Sequence, residues 1–325
     1  MGVDAKIAPG IQPPLIGSAA QAPFDWSLFA KDTSAKEKEE KHATRGSTSK
    51  PGPPISLGMS EAAICGRYEK EGFVSPLRAL NAREVGDALA GFKRFQDEHC
   101  QLLDQRSPTI MNHAWLPWMR DLAKHPAILK AVSAVLATKN IFLYNSQLLA
   151  REPGHSQMTS MGVGWHKDAD PYYSRLSPVD RRHWVTAFVA LSKCHRENGC
   201  LLVKKTDRGG WVEPDAGEEA LELYPGEFSL HGPSTTHTGG LNTSDETRYA
   251  VALRFIRAST RDLHAEVLGR EAALLVSGVD KHKNFDLMPE VEGEATEEGR
   301  LLRDGILHDR RMGPSSYCKD GMVCA

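Results

Sequence analysis

A chain of 325 residues, 40% hydrophobic and 25% charged, is long enough to bury one large core and has the composition of an ordinary soluble protein. Its formal net charge of −2 supplies no field for a polyanion, which argues against nucleic acid or a membrane surface as partner. Six cysteines without any C-x-x-C pair read as reduced thiols, no apolar run reaches membrane-spanning length, and the start lacks the apolar core of a secretory signal, so a cytoplasmic location is expected.

Residues 1 to 55 combine proline and small residues with the charge run "KDTSAKEKEEKHATRGSTSKPGPP", a composition that buries too little apolar surface to offset ordering, and predict a disordered or loosely docked tail. Two helices are predicted next. Asn81-x-x-Glu84 is a capping-box pattern ahead of Val85, Ala88, Leu89, Phe92 and Phe95 on one face. Pro126 suits the first turn of a second helix carrying Ile128, Leu129, Val132, Val135 and Leu136.

Beyond Asn140 the texture changes to short β-rich runs: "NIFLYNSQLLARE", "HWVTAFVALSK", "GCLLVKK", "GEFSLHG" and "RYAVALRFI", separated by turns such as "PGH", "RENG" and "YPGE". Helices first and many short strands later predict a mostly β fold, an antiparallel barrel or sandwich braced by flanking helices. After residue 258 the pattern reads as helical ("RDLHAEVLGREAALLVSG") and then polar. The expected division is therefore a tail over 1–55, one domain over 56–258 and a helical extension with a polar end over 259–325.

The chemistry concentrates in "WHKDADPYY", residues 165–173. On an extended strand residues two apart share a face, so His166 and Asp168 converge on one point and Lys167 is directed away. Two ligands do not make a site, and His231 and His237 in "FSLHGPSTTHTGGLN" are both candidates for the third. Two imidazoles and one carboxylate on one side of a divalent ion leave positions open, which is the facial triad of non-haem Fe(II) oxygenases. By itself H-x-D arises by chance in a chain with 13 histidines, and a polar loop rich in aromatics explains the stretch equally well. Arg248, on the strand after His237, offers a guanidinium suited to a bidentate carboxylate pair, or is an exposed strand arginine.

Taken in order along residues 60 to 258, the motifs resemble those of the phytanoyl-CoA dioxygenase-like branch of the Fe(II)/2-oxoglutarate-dependent oxygenases. The stretches that carry the resemblance are "YEKEGFV", "LAKHPAILKAV", "LYNSQLLAREPG", "GWHKDADPYY", "VTAFVALSKCHRENGCLLV" and "PGEFSLHGPSTTHTGGLNTSDETRYAVALRF". The resemblance implies a double-stranded β-helix, the jelly-roll or cupin-like barrel. It makes His166, Asp168 and His237 the iron ligands, with His231 the decoy, and Arg248 the partner of the distal carboxylate of 2-oxoglutarate. Arg151 and Gln147 fall where relatives place co-substrate and substrate contacts. Implied cofactors are Fe(II), 2-oxoglutarate and O₂, with ascorbate a candidate reductant.

The implied reaction is hydroxylation of an unactivated C–H bond of a small or medium metabolite, with release of succinate and CO₂. Halogenating relatives replace the carboxylate ligand by a small residue, so the presence of Asp168 favours hydroxylation. The alternatives are a catalytically silent barrel that binds metal or a metabolite, and an iron enzyme giving desaturation or cyclisation. Two stretches depart from the family pattern. "VKKTDR" (203–208) stands where many relatives read "PGSH", and Gly239 stands where many have Ser. Tyr172, Tyr173, Trp184 and Trp211 are candidates for lining a pocket. Lys167, Lys204, Lys205, Arg175 and Arg208 are placed near its opening and suggest an anionic substrate.

Overall fold

The computed structural model describes residues 59–102, 109–154, 164–169, 175–204 and 217–311. The proposed tail over 1–55, and Asp170, Tyr172, Tyr173, Lys205, Arg208 and Trp211, lie outside the described residues. In chain order the elements are α1 (Glu61–Glu71), β1 (Phe73–Arg78), α2 (Ala82–Arg94), α3 (Pro117–Ala123), α4 (Pro126–Leu136), β2 (Ile141–Arg151), β3 (Leu176–Ser177), β4 (Trp184–Ala190), β5 (Leu201–Lys204) and β6 (Glu218–Leu221). They continue with β7 (Glu227–His231), β8 (His237–Gly239), β9 (Arg248–Arg257), β10 (Arg261–Asp262), α5 (Ala265–Leu268), β11 (Ala272–Ser277), β12 (Asp286–Leu287) and α6 (Glu297–Arg311).

The predicted helix starts are present. Asn81 accepts from the backbone of Arg83 and Glu84 while Glu84 reaches back to the Asn81 N–H, and Pro126 opens α4. The apolar faces of α2 and α4 pack on the outer face of a seven-stranded sheet of order β1-β7-β4-β9-β2-β11-β12. Val185, Ala187 and Val189 of β4, and Val251, Leu253 and Phe255 of β9, supply that outer face. Alternation then turns Thr186 and Phe188, and Arg248, Ala252 and Arg254, inward. A three-stranded sheet, β6-β5-β8, faces them across the site, giving the mostly β jelly-roll expected.

Strand β2 changes which face it presents part-way along. A bulge between Leu143 and Asn145 shifts its register against β9. Ile141 and Leu143 pack with the helices before it, and Leu148 does so after it, so Gln147, Leu149 and Arg151 turn inward.

The region after residue 258 corrects the helical expectation. Before β11 it holds the two-residue β10 and, as its described helix, only the short α5; β11 pairs antiparallel with β2 and extends the large sheet. Helix comes later, in α6, where Arg303 is wholly buried and its Nε donates to the Ile110 carbonyl at 2.9 Å. Ile110 in turn bridges to Gln147 on β2. No described helix is long and apolar enough to cross a membrane.

Candidate metal centre

His166 and His237 are brought together by their own backbones. Each donates its N–H to the other's carbonyl, at 3.0 and 2.9 Å, which places the two rings 4.2 Å apart on the edge of the small sheet. Asp168 follows two residues on, and one ligand atom from each of the three lies within 4.8 Å of the others. Both imidazoles are oriented by main-chain acceptors: Nδ1 of His166 lies 2.9 Å from the Gly164 carbonyl, and Nδ1 of His237 lies 2.8 Å from that of Thr235. A proton on each Nδ1 satisfies those carbonyls and leaves the Nε2 lone pairs for a metal.

One inward row across the large sheet meets the Asp168 carboxylate. His231, Thr186 and Arg254 are register partners on β7, β4 and β9. Thr186 Oγ1 donates to Asp168 Oδ2 at 2.6 Å, and Arg254 Nη2 donates to Oδ1 at 3.2 Å. Burial alone would raise the carboxyl, yet the Arg254 guanidinium and the surrounding histidines hold Asp168 well below the usual range. Burial pulls His166 down as well, and burial followed by the His231 charge takes His237 to about 3. The set therefore presents one carboxylate and two neutral imidazoles, the protonation states a divalent metal needs.

His231, expected to be the decoy, also faces this centre. Its ring lies 4.5 Å from that of His237 and its Nε2 is 3.7 Å from Asp168 Oδ2, while neither nitrogen has a hydrogen-bond partner. Arg254 and Thr186 were not singled out from the sequence. Arg254 was findable, because it stands an even number of residues from Arg248 on the same strand and so shares its inward face.

At the far end of the same pocket Arg248 is buried. Its Nε and Nη2 donate to the Gly199 carbonyl at 3.2 and 2.9 Å, and its Cζ lies 5.4 Å from the Phe188 ring centre. Arg151 lies directly opposite Arg248 in the β2–β9 register, and Gln147 and Arg151 both line the pocket.

Two candidates for the substrate region are elsewhere. Trp184 packs against Tyr144 in a separate apolar cluster, because its row of the sheet lies beyond that of Thr186. Arg175 is not at the opening: it is committed to Asp262 through two hydrogen bonds, 2.9 and 2.6 Å, and to Glu271 at 3.3 Å. Lys204 lies 4.9 Å above the ring of Trp165, the residue before His166.

No protein of curated function matches the chain by sequence. Its fold is similar to that of a solved structure described as a non-heme monooxygenase, the ThoJ–nickel complex. That match has 24% identity and a TM-score of 0.66, and covers 77% of this chain and 97% of that one. It is also similar to the epimerase SnoN in complex with Fe³⁺, alpha-ketoglutarate and nogalamycin RO, at 18% identity and a TM-score of 0.53, covering 72% of this chain and 96% of that one. A third is the non-heme alpha-ketoglutarate-dependent carbocyclase SnoK from nogalamycin biosynthesis, at 20% identity and a TM-score of 0.53, covering 75% of this chain and 98% of that one. The sequence from Tyr68 to Ala250, more than half of the chain, matches phytanoyl-CoA dioxygenase (PhyH), and the chain belongs to that family.

Proposed function

We propose that the protein is a non-haem Fe(II)/2-oxoglutarate-dependent oxygenase that hydroxylates a C–H bond of a small or medium metabolite. The observation that carries this reading is the convergence of one ligand atom from each of two neutral imidazoles and one charge-stabilised carboxylate within 4.8 Å, with buried Arg248 in the same pocket. A set of two nitrogens and one oxygen fits Fe(II), and placing all three on one side leaves room for a bidentate co-substrate. Iron with 2-oxoglutarate and O₂ supplies oxidative decarboxylation to succinate and CO₂, coupled to oxidation of the substrate.

His166, Asp168 and His237 are the residues that hold the metal. The Gly164 and Thr235 carbonyls keep each imidazole proton on Nδ1, and Thr186 and Arg254 keep Asp168 ionised and in place. Arg248 takes the distal carboxylate of the co-substrate, its guanidinium already oriented by the Gly199 carbonyl. Arg151 and Gln147 complete the co-substrate side of the pocket. Lys204 beside Trp165 is a described cation that supports an anionic substrate.

Asp168 is a carboxylate with its charge secured, and this favours hydroxylation over halogenation. An epimerase and a carbocyclase share the fold, so the position of the substrate's C–H bond decides whether hydroxyl insertion or another oxidation results. The test is purified protein with Fe(II) and 2-oxoglutarate, then metabolite profiling of active protein against Asp168→Ala. Succinate release and a product one oxygen heavier, both lost in the variant, are expected. No succinate under any condition leaves a metal-binding barrel without this activity. A product lighter by two hydrogens assigns desaturation or ring closure.

A further inference from the structure

Arg151 and Arg248 place two guanidiniums side by side where the charge of one is expected to suffice. They are register partners on adjacent antiparallel strands, 7% and 4% exposed, and both point into the pocket. Like charges directly opposite one another destabilise a strand pair, and burial removes the water that would screen them. Arg248 has main-chain acceptors in Gly199 and Leu149. The Arg151 guanidinium has neither a carboxylate nor a hydrogen-bond acceptor among the described residues. Burial, and then the Arg248 charge, pull Arg151 down to about 10.

The Arg151 guanidinium occupies the space in front of Gly239. A Cβ built on Gly239 collides with Nη2 of Arg151, and its next nearest neighbours are Cζ at 3.3 Å and Nε at 3.7 Å of the same side chain. A Cβ at 239 therefore meets first the end of a flexible arginine. Gly239 follows the ligand position His237 by two residues on β8, so it looks into the same pocket.

We propose that Gly239 is the residue that sets co-substrate affinity here: lacking a Cβ, it admits Arg151 beside Arg248, and the two guanidiniums form a carboxylate site that works without the metal. This rests on the reading of Arg248 as the partner of the distal carboxylate with Arg151 beside it, and adds the gate and a consequence. A buried pair of unopposed cations is relieved by one anion, so a dicarboxylate binds the metal-free protein through its distal end. Succinate keeps that end after 2-oxoglutarate has been consumed. It is therefore retained at the floor of the pocket and inhibits in competition with 2-oxoglutarate.

The experiment is calorimetric titration of the full chain, metal-free, with 2-oxoglutarate, succinate and 2-oxopentanoate, which has a methyl group in place of the distal carboxylate. Wild type, Gly239→Ala, Arg151→Met and the double variant are compared, with melting curves to establish that each is folded. Wild type is expected to bind both dicarboxylates and to discriminate against 2-oxopentanoate. Gly239→Ala and Arg151→Met are each expected to weaken succinate binding by about tenfold or more. The double variant should be no weaker than Arg151→Met alone, since the alanine acts only by displacing the guanidinium.

Losses that add in the double variant, or single variants that bind as wild type does, overturn the inference and leave the proposed function standing. A wild type that fails to bind 2-oxoglutarate even with Fe(II) present overturns the proposed function itself.

Discussion

His166 and His237 are each other's hydrogen-bond partners through the main chain, so the geometry of their rings is fixed by a β-bridge and does not wait for a metal. His231 reaches the same centre from the opposite sheet, without a main-chain acceptor for either nitrogen. Replacing His166 or His237 by alanine is expected to lower metal affinity by more than the roughly 10–100-fold typical of residues behind the ligands, whereas His231→Gln should stay within that range. Titration of the metal-free protein with Ni(II) or Mn(II) measures all three. A His231 variant that loses metal as completely as the His237 variant reassigns the third ligand.

Arg254 stands behind Asp168 as its charge partner. Arg254→Met is expected to lower metal affinity by about 10–100-fold. The loss should widen between pH 7.5 and pH 5.5, because the Asp168 carboxyl, still buried, then takes up a proton more readily. Arg254→Lys restores the charge without the fork and should recover part of the loss. Metal affinity that is the same in all three proteins at both pH values removes Arg254 from the site.

His237 makes the metal-free fold acid-sensitive. Its imidazole is held at about 3 in the folded chain against 6.5 for the ordinary group, so the unfolded chain binds the extra proton between those values. Stability is therefore unaffected above about pH 6.5 and falls as pH drops below it, by up to about 1.4 kcal/mol per pH unit for one such group. His237→Gln should flatten that slope in urea titrations from pH 7.5 to 4.5. An unchanged slope places the acid sensitivity elsewhere.

Arg175 and Asp262 tie β3 to β10 by a buried pair that Glu271 and Tyr144 extend. Asp262→Ala removes two charge-assisted hydrogen bonds from the buried guanidinium, which keeps Glu271 and the Gly269 carbonyl, and is expected to destabilise the protein by about 1.5–3 kcal/mol. Arg270→Ala, which breaks the half-exposed pair with Asp286, should shift stability by no more than about 1 kcal/mol. Equal effects in chemical denaturation would show that burial does not distinguish the two pairs.

The apolar strands β2, β4, β5, β7 and β9 were legible because their runs are rich in β-branched and aromatic residues bounded by turns. Strand β1 carries Pro76, which discourages a strand reading, and is accommodated because β1 lies at the sheet edge. Strand β6 is the short, partly exposed run Glu218–Leu221, whose two glutamates argue against a strand. Strand β11 reads as helical because Ala and Leu fill it, and its pairing with β2 decides otherwise.

In the site, His166 and Asp168 stood out by spacing, while Arg254 needed the parity of β9 to be followed from Arg248 over three repeats of the pleat. The facing of Gln147 and Arg151 was hidden for a different reason. Period two continued from Ile141 and Leu143 would put them on the helix side, and only the bulge at 143–145 turns them inward.

The anchoring of Ile110 by Arg303 gives the pocket an order of completion. Every residue that lines the pocket, from Gln147 to Arg254, precedes β11 and α6 in the chain. Yet β2 is flanked by β11, and the Ile110 segment bridged to Gln147 is fastened by a guanidinium nearly 200 positions later. A nascent chain therefore carries all of the site's chemistry before it has the parts that brace it, and the bracing of the pocket wall is complete once residue 303 has been made.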